Sequence, residues 1–150
     1  MSQSPVIQRD VLLVDDDQAT RRLFEHVLAR VGLTVVTAVD GVNALEVLAT
    51  HQVDTIVLDL MMPRMSGFEL LDRLMEERPG ILKRCIVLSA ASLQWVNKAS
   101  ERPVWSVLRK PVDLDVLVQA VLDCLVQDST GERKPARPAV VPPSTVRAVS

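Results

Sequence analysis

Polar side chains suited to phosphate chemistry stand at four points of the sequence, each within two residues of the end of a short apolar run. Mg2+ prefers carboxylate and phosphate oxygens as ligands, a lysine offers a point positive charge to a phosphoryl oxygen, and a hydroxyl donates a hydrogen bond to another. Together these residue types favour a site of phosphoryl transfer. They are Asp15-Asp16-Asp17 after Val11–Val14, Asp59 after Thr55–Leu58, Ser89 after Cys85–Leu88 and Lys110 after Val104–Leu108.

Each of these residues also has a simpler explanation. Asp17 and Ser89 could cap helices, Asp59 could belong to a turn, and Lys110 could be a solvated charge. The simpler explanation weakens for the group, because two like charges about 4 Å apart repel by roughly 4 kcal/mol at an effective dielectric near 20. A metal ion explains the gathering of acids better than capping does. The adjacent Asp15 and Asp16 can both serve such an ion, which leaves Asp59 as the carboxylate nucleophile that would form an acyl phosphate.

The elements that must position these residues alternate along the chain. Five runs apolar on both faces are typical of parallel strands covered by helices, and amphipathic stretches separate them. We therefore predict an α/β fold with a doubly wound, five-stranded parallel sheet and helices on both faces. Ligands bind beyond the carboxyl ends of the strands in such sheets, where the polar residues fall. The predicted strands are Val11–Val14, Thr34–Ala38, Thr55–Leu58, Cys85–Leu88 and Val104–Leu108.

Composition excludes several classes of protein. The 150 residues carry a net charge of −2 and only 3% aromatic residues, so no overall basic field or set of stacking rings points to nucleic acid. The apolar runs are too short to cross a bilayer and no signal peptide is recognisable. Cys85 and Cys124 lie in apolar patterns, as reduced core cysteines do. We expect a cytoplasmic protein that binds neither nucleic acid nor membrane.

Three parts are predicted along the chain: an N-terminal arm at 1–7, a folded domain at 8–127, and a tail at 128–150. The tail holds four of the nine prolines and has no periodic apolar face. Because proline removes backbone donors, we predict a disordered, Pro-rich, basic tail. The alternative is a peptide that docks on a partner through Arg133, Lys134, Arg137 and Arg147.

The spaced motifs resemble those of the receiver domain of bacterial two-component response regulators, over about residues 8–127. The resemblance implies a flavodoxin-like sheet with strand order 2-1-3-4-5. It also implies that Asp59 is the phosphoacceptor, supplied by a phosphohistidine on a sensor histidine kinase or histidine phosphotransfer protein. The motifs are Val11–Asp17, Asp59-Leu60-Met61-Met62-Pro63 with Gly67 four residues beyond, Ser89-Ala90 and Lys110-Pro111.

Further roles follow from the same resemblance. Ser89 and Lys110 would bind the phosphoryl group and report its arrival. The protein would not be an enzyme beyond accepting the phosphoryl group and slowly losing it. No DNA-binding or catalytic motif follows residue 126, so we expect a stand-alone receiver, monomeric or dimeric on phosphorylation, that contacts an unknown downstream protein. The implied Mg2+ ligands are Asp15, Asp16, Asp59 and the backbone carbonyl of Met61.

One departure from the family pattern concerns the switch residue. Receivers usually carry Tyr or Phe three residues before the lysine, where this chain has Val107. Strand alternation predicts that Trp105 shares a face with Val107. Trp105 could then substitute as the switch ring, but we favour the alternative that it covers the edge of the sheet or the weakly amphipathic helix at 92–100.

Two other readings stay open. A haloacid-dehalogenase-like phosphatase would use Asp15 as its nucleophile, but this leaves the motif that begins at Asp59 unexplained. A degenerate receiver would bind partners without being phosphorylated, although all five chemical positions are intact.

Overall fold

The structure is a computed structural model that describes residues 9–62, 64–90, 92–130 and 139–141. Successive strands are separated by one helix, or by two between the third and fourth strands. None of the helices in these ranges is long and apolar enough to cross a membrane. The strands are β1 (Asp10–Val14), β2 (Thr34–Ala38), β3 (Thr55–Asp59), β4 (Cys85–Ser89), β5 (Ser106–Arg109) and β6 (Ala139–Val141). The helices are α1 (Gln18–Arg30), α2 (Gly41–Thr50), α3 (Gly67–Glu77), α4 (Pro79–Leu82), α5 (Leu93–Ser100) and α6 (Leu114–Thr130).

The strands form one parallel sheet in the order β2-β1-β3-β4-β5-β6. The predicted flavodoxin-like α/β class and the order 2-1-3-4-5 are therefore confirmed for the first five strands. The register aligns the strand ends, since Val14 lies beside Leu58 and Asp59 beside Leu88. Residues that follow β1, β3, β4 and β5 consequently meet at one edge of the sheet.

Side chains of the central strands alternate between two cores, one on each face of the sheet. Leu12 packs with α2, α3 and α5, whereas Val11 and Leu13 pack with α1 and α6. Leu12 and Leu13 are fully buried, which is why the strands are apolar on both faces. Two packed helical layers thus hold the sheet that carries the polar strand ends.

The prediction that Trp105 shares a face with Val107 is wrong. Val107 is fully buried in the core under α3 and α5, while Trp105 packs against the core on the opposite face, with α1 and α6. The strand begins at Ser106, and Trp105 lies in a bend before it. Alternation holds only within a strand, so it does not relate Trp105 to Val107.

The C-terminal part also differs from the predicted disordered tail. Helix α6 continues three residues beyond 127, to Thr130, and β6 pairs in parallel with Ser106–Leu108 of β5. The run Ala139-Val140-Val141 contains no proline and two β-branched residues, and the outer edge of β5 offers backbone groups for pairing. The arm at 1–7 and the four basic residues proposed for partner docking lie outside the described residues.

Candidate functional site

Three carboxylates lie together where β1 and β3 end. One oxygen from each of Asp15, Asp16 and Asp59 lies within 4.8 Å of the others. Asp15 is 0% exposed and Asp59 3% exposed, whereas Asp16 faces solvent. The structure thus brings together the acids that the sequence places after two separate strands.

The two oxygens of Asp15 have different surroundings. Oδ1 accepts a hydrogen bond from the backbone amide of Asp17 at 2.9 Å, whereas Oδ2 is buried and has no hydrogen-bond partner within the described part of the chain. Burial raises the pKa of Asp15, and the negative charges of Asp59 and Asp16 raise it further. A buried charged oxygen without a partner is costly, so this position favours a bound cation.

Asp59 is held by contacts to one of its oxygens. Lys110 Nζ lies 3.2 Å from Oδ1, and the backbone amide of Met61 donates to the same oxygen at 3.3 Å. Burial raises the pKa of Asp59, and the positive charge of Lys110 opposes that rise. The lysine therefore balances part of the crevice's negative charge and reaches it from the end of β5.

Ser89 ends β4, between the strands that carry Asp59 and Lys110. Its side chain is fully buried and its hydroxyl donates to the carbonyl oxygen of Ala90 at 3.1 Å. The backbone amide of Lys110 donates to the Ser89 carbonyl at 2.8 Å, which fixes the two strand ends side by side. Lys110 thus contacts a carboxylate directly, whereas the Ser89 hydroxyl bonds to its own loop.

Gly67 brings the start of α3 onto the backbone that carries Asp59. A Cβ at this position would lie 2.6 Å from Leu60 Cα and 2.7 Å from the Asp59 carbonyl oxygen, and both contacts are with backbone. The Gly67 amide donates to the Leu60 carbonyl at 2.9 Å. Only glycine allows this close approach without moving the loop.

The comparisons with known proteins point to one family. The model of the response regulator receiver domain matches residues 11–122. The chain belongs to this family. The structure is similar to the receiver domain of the Francisella response regulator 1452, with a TM-score of 0.75 and 29% identity, covering 81% of this chain and 99% of that one.

The curated relatives of this receiver are longer proteins. It is 37% identical over 132 residues to the transcriptional regulatory protein GlrR of Escherichia coli K12, covering 87% of this chain and 29% of GlrR. It is also 37% identical over 123 residues to the Regulator of RpoS of the same organism, covering 81% of this chain and 36% of that protein. The chain therefore spans about a third of the length of these relatives.

Receiver domains bind Mg2+ at an acidic pocket, and this receiver has residues that fit such an ion. Three carboxylates face one another, and the buried Oδ2 of Asp15 has no other partner among the described residues. Oxygen-only donors with a net negative charge are the set that Mg2+ prefers.

Sequence reasoning missed two residues beside the site. Asp40, two residues beyond β2, accepts from the Asn43 amide at 2.8 Å and caps α2. Arg64, in the loop between β3 and α3, donates from Nε to Asp40 Oδ2 at 2.6 Å. An aspartate directly before an apolar helical pattern predicts an N-cap. No local pattern connects this aspartate with an arginine 24 residues further along the chain.

Proposed function

We propose that this receiver accepts a phosphoryl group on the carboxylate of Asp59. The observation that carries the proposal is that Asp59 is buried, lies within 4.8 Å of the Asp15 and Asp16 oxygens, and has the Lys110 ammonium 3.2 Å away. In the transfer, the bond from phosphorus to the donor atom breaks as a bond to an Asp59 oxygen forms. The product is an acyl phosphate.

Residues around Asp59 would each contact a different part of the phosphoryl group. Lys110 would pair with a phosphoryl oxygen, and the Ser89 hydroxyl would turn from the Ala90 carbonyl to donate to another. When bound, Mg2+ supplies positive charge that balances the carboxylates and the phosphoryl oxygens. The ligands we propose for Mg2+ are Asp15, Asp16, Asp59 and the backbone carbonyl of Met61.

Membership of the family supports a proposal for the donor of the phosphoryl group and for the output. We propose that a phosphohistidine on a sensor histidine kinase or a histidine phosphotransfer protein supplies the group, and that the domain works in the cytoplasm. Phosphorylation adds a charge of about −1.5 to −2, enough to bias a two-state surface around Ser89 and Lys110. That surface would contact a downstream protein or, on phosphorylation, a second copy.

The proposal is tested by intact-mass measurement after incubation with acetyl phosphate and Mg2+. The wild type and Asp59→Asn are compared, with Asp54→Asn as the matched control at the other end of the same strand. Asp54 pairs with Arg9 at 3.7 Å and lies outside the acidic cluster. We expect one added phosphoryl group on the wild type and the control, none on Asp59→Asn, and none on any protein in a chelator.

Two results would contradict the proposal. One is the absence of added mass on the wild type at saturating Mg2+, and the other is full phosphorylation of Asp59→Asn. Turnover of a phosphate ester that survives Asp59→Asn and fails in Asp15→Asn would instead support the phosphatase reading.

A further inference from the structure

Arg64 adopts a backbone conformation that L-residues rarely take. Its φ is 64°, in the left-handed region, which favours glycine. The residue lies in the loop between β3 and α3, whose first residues carry the contact from the Met61 amide to Asp59. Non-glycine residues persist in this region when the surrounding structure holds them there, so the contacts of Arg64 are informative.

The side chain of Arg64 binds a fixed acceptor. Its Nε and Nη2 lie 2.6 and 2.5 Å from Oδ2 of Asp40. The Asp40 side chain is 6% exposed and its Oδ1 accepts from the Asn43 amide, whereas the Arg64 side chain is 60% exposed. Asp40 is therefore anchored by α2, and the pair ties the loop to that anchor.

Packing beside the ion pair supports the same connection. A Cβ at Gly41 would lie 2.7 Å from Met65 Cγ and 2.9 Å from the Met65 carbonyl oxygen. The first turn of α2 thus rests directly on the residue after Arg64. Together with Gly67 on the backbone of Leu60, these contacts hold the loop at both of its ends.

We propose that Asp40 and Arg64 are positioning residues that hold the loop between β3 and α3 in the geometry that binds the metal ion. The inference rests on the proposed function, because the loop carries the Met61 carbonyl that we assign to Mg2+. Neither residue belongs to the acidic cluster, so the pair acts through the loop backbone. Without the ion pair, residue 64 could leave its left-handed conformation and the loop would become less ordered. Binding of the ion would then have to order the loop, and this entropic cost would lower the Mg2+ affinity.

The test measures phosphoryl uptake from acetyl phosphate across a Mg2+ titration, together with Mg2+ affinity by calorimetry. Arg64→Ala, Arg64→Gly and Asp40→Asn are compared with the wild type. We expect each to raise the half-saturating Mg2+ concentration by about 10-fold, as loss of an outer-shell partner does. The maximal rate at saturating Mg2+ should stay close to that of the wild type, a split that general destabilisation would not produce.

Further variants separate the ion pair from other effects. Arg64→Lys keeps the positive charge and should recover part of the affinity. The double variant Asp40→Asn/Arg64→Ala should bind Mg2+ no more weakly than either single variant, because the two substitutions remove the same interaction. Arg73→Ala, which breaks the exposed ion pair with Glu77 on α3, is the matched control and should not change Mg2+ affinity.

Several outcomes would overturn the inference. Wild-type Mg2+ affinity in Arg64→Gly would show that only backbone strain matters at this position. Additive losses in the double variant, or a lower maximal rate with unchanged affinity, would show that the pair does not position the loop. If the wild type accepts no phosphoryl group, the proposed function fails, but calorimetric Mg2+ affinities still decide whether the pair of Asp40 and Arg64 acts on the metal site.

Discussion

Asp15 and Asp40 are buried aspartates that follow the neighbouring strands β1 and β2, but their surroundings are opposite. Both oxygens of Asp40 have protein partners, and the Asn43 amide, with Arg64, holds the pKa of that carboxyl below 3.8. One oxygen of Asp15 has no partner in the ranges that the structure describes, and burial raises the pKa of this carboxyl. Burial alone therefore does not separate a candidate metal ligand from an acid that caps a helix; the oxygen of Asp15 that has no partner among the described residues does.

The largest expected effect that separates the two aspartates is on Mg2+ binding. Asp15→Asn removes a charged ligand from the cluster and should weaken Mg2+ affinity beyond the ~10–100-fold typical of outer-shell changes. Asp40→Asn should stay at the lower end of that range, because it acts only through the loop. Calorimetric titration of both variants measures the difference. Equal losses in the two variants would break the distinction between a ligand and a positioning residue.

The next effect is on stability, where the two variants should change the free energy of unfolding in opposite directions. In a chelator, Asp15→Asn should stabilise the fold by about 1–3 kcal/mol, because it removes an unpartnered buried charge. Asp40→Asn should destabilise it by about 1–2 kcal/mol, because the hydrogen bonds from Arg64 lose their charged acceptor. Urea unfolding of the apo proteins measures both.

Repeating the unfolding measurements with Mg2+ is the control for the predicted directions of these stability changes. A ligand that binds only the folded state stabilises it, so saturating Mg2+ should reverse the advantage of Asp15→Asn over the wild type. Destabilisation by Asp15→Asn in a chelator would contradict the view that its charge is unbalanced in the apo fold.

The smallest effect is the pH dependence of the contribution from Asp40. Its pKa is lowered in the folded state, so the folded protein releases the proton more readily than the unfolded chain does. The resulting stability is present above the unfolded value of about 3.8 and is lost as pH falls through the folded pKa. The stability difference between the wild type and Asp40→Asn should therefore shrink below pH 4, measured by urea unfolding. A difference that grows towards low pH would contradict the direction of the shift.

The sequence predicted most of the fold and the clustering of the acids for one physical reason. Parallel strands buried on both faces leave clear apolar runs, and their carboxyl ends must share one edge of the sheet. Asp15, Asp59 and Ser89 each follow such a run directly, and Lys110 follows one after a single intervening residue. Their proximity therefore followed from the topology without any knowledge of side-chain contacts.

Other features depend on contacts that local patterns do not encode. The face taken by Trp105 depends on where β5 begins, and the strand begins at Ser106, two residues later than predicted. Strand β6 depends on the open edge of β5 as well as on the short run Ala139-Val140-Val141. The ion pair of Asp40 and Arg64 joins residues 24 positions apart. It also involves a left-handed backbone conformation at Arg64, which the residue type does not predict.

The most direct test of the central claim is to locate the phosphoryl group. The wild type is treated with acetyl phosphate and Mg2+, the acyl phosphate is reduced with borohydride, and the peptides are sequenced by tandem mass spectrometry. The account predicts that Asp59 alone is converted to the reduced residue, and only when Mg2+ is present. Conversion at Asp15 or Asp16 instead, or at no aspartate, would contradict it.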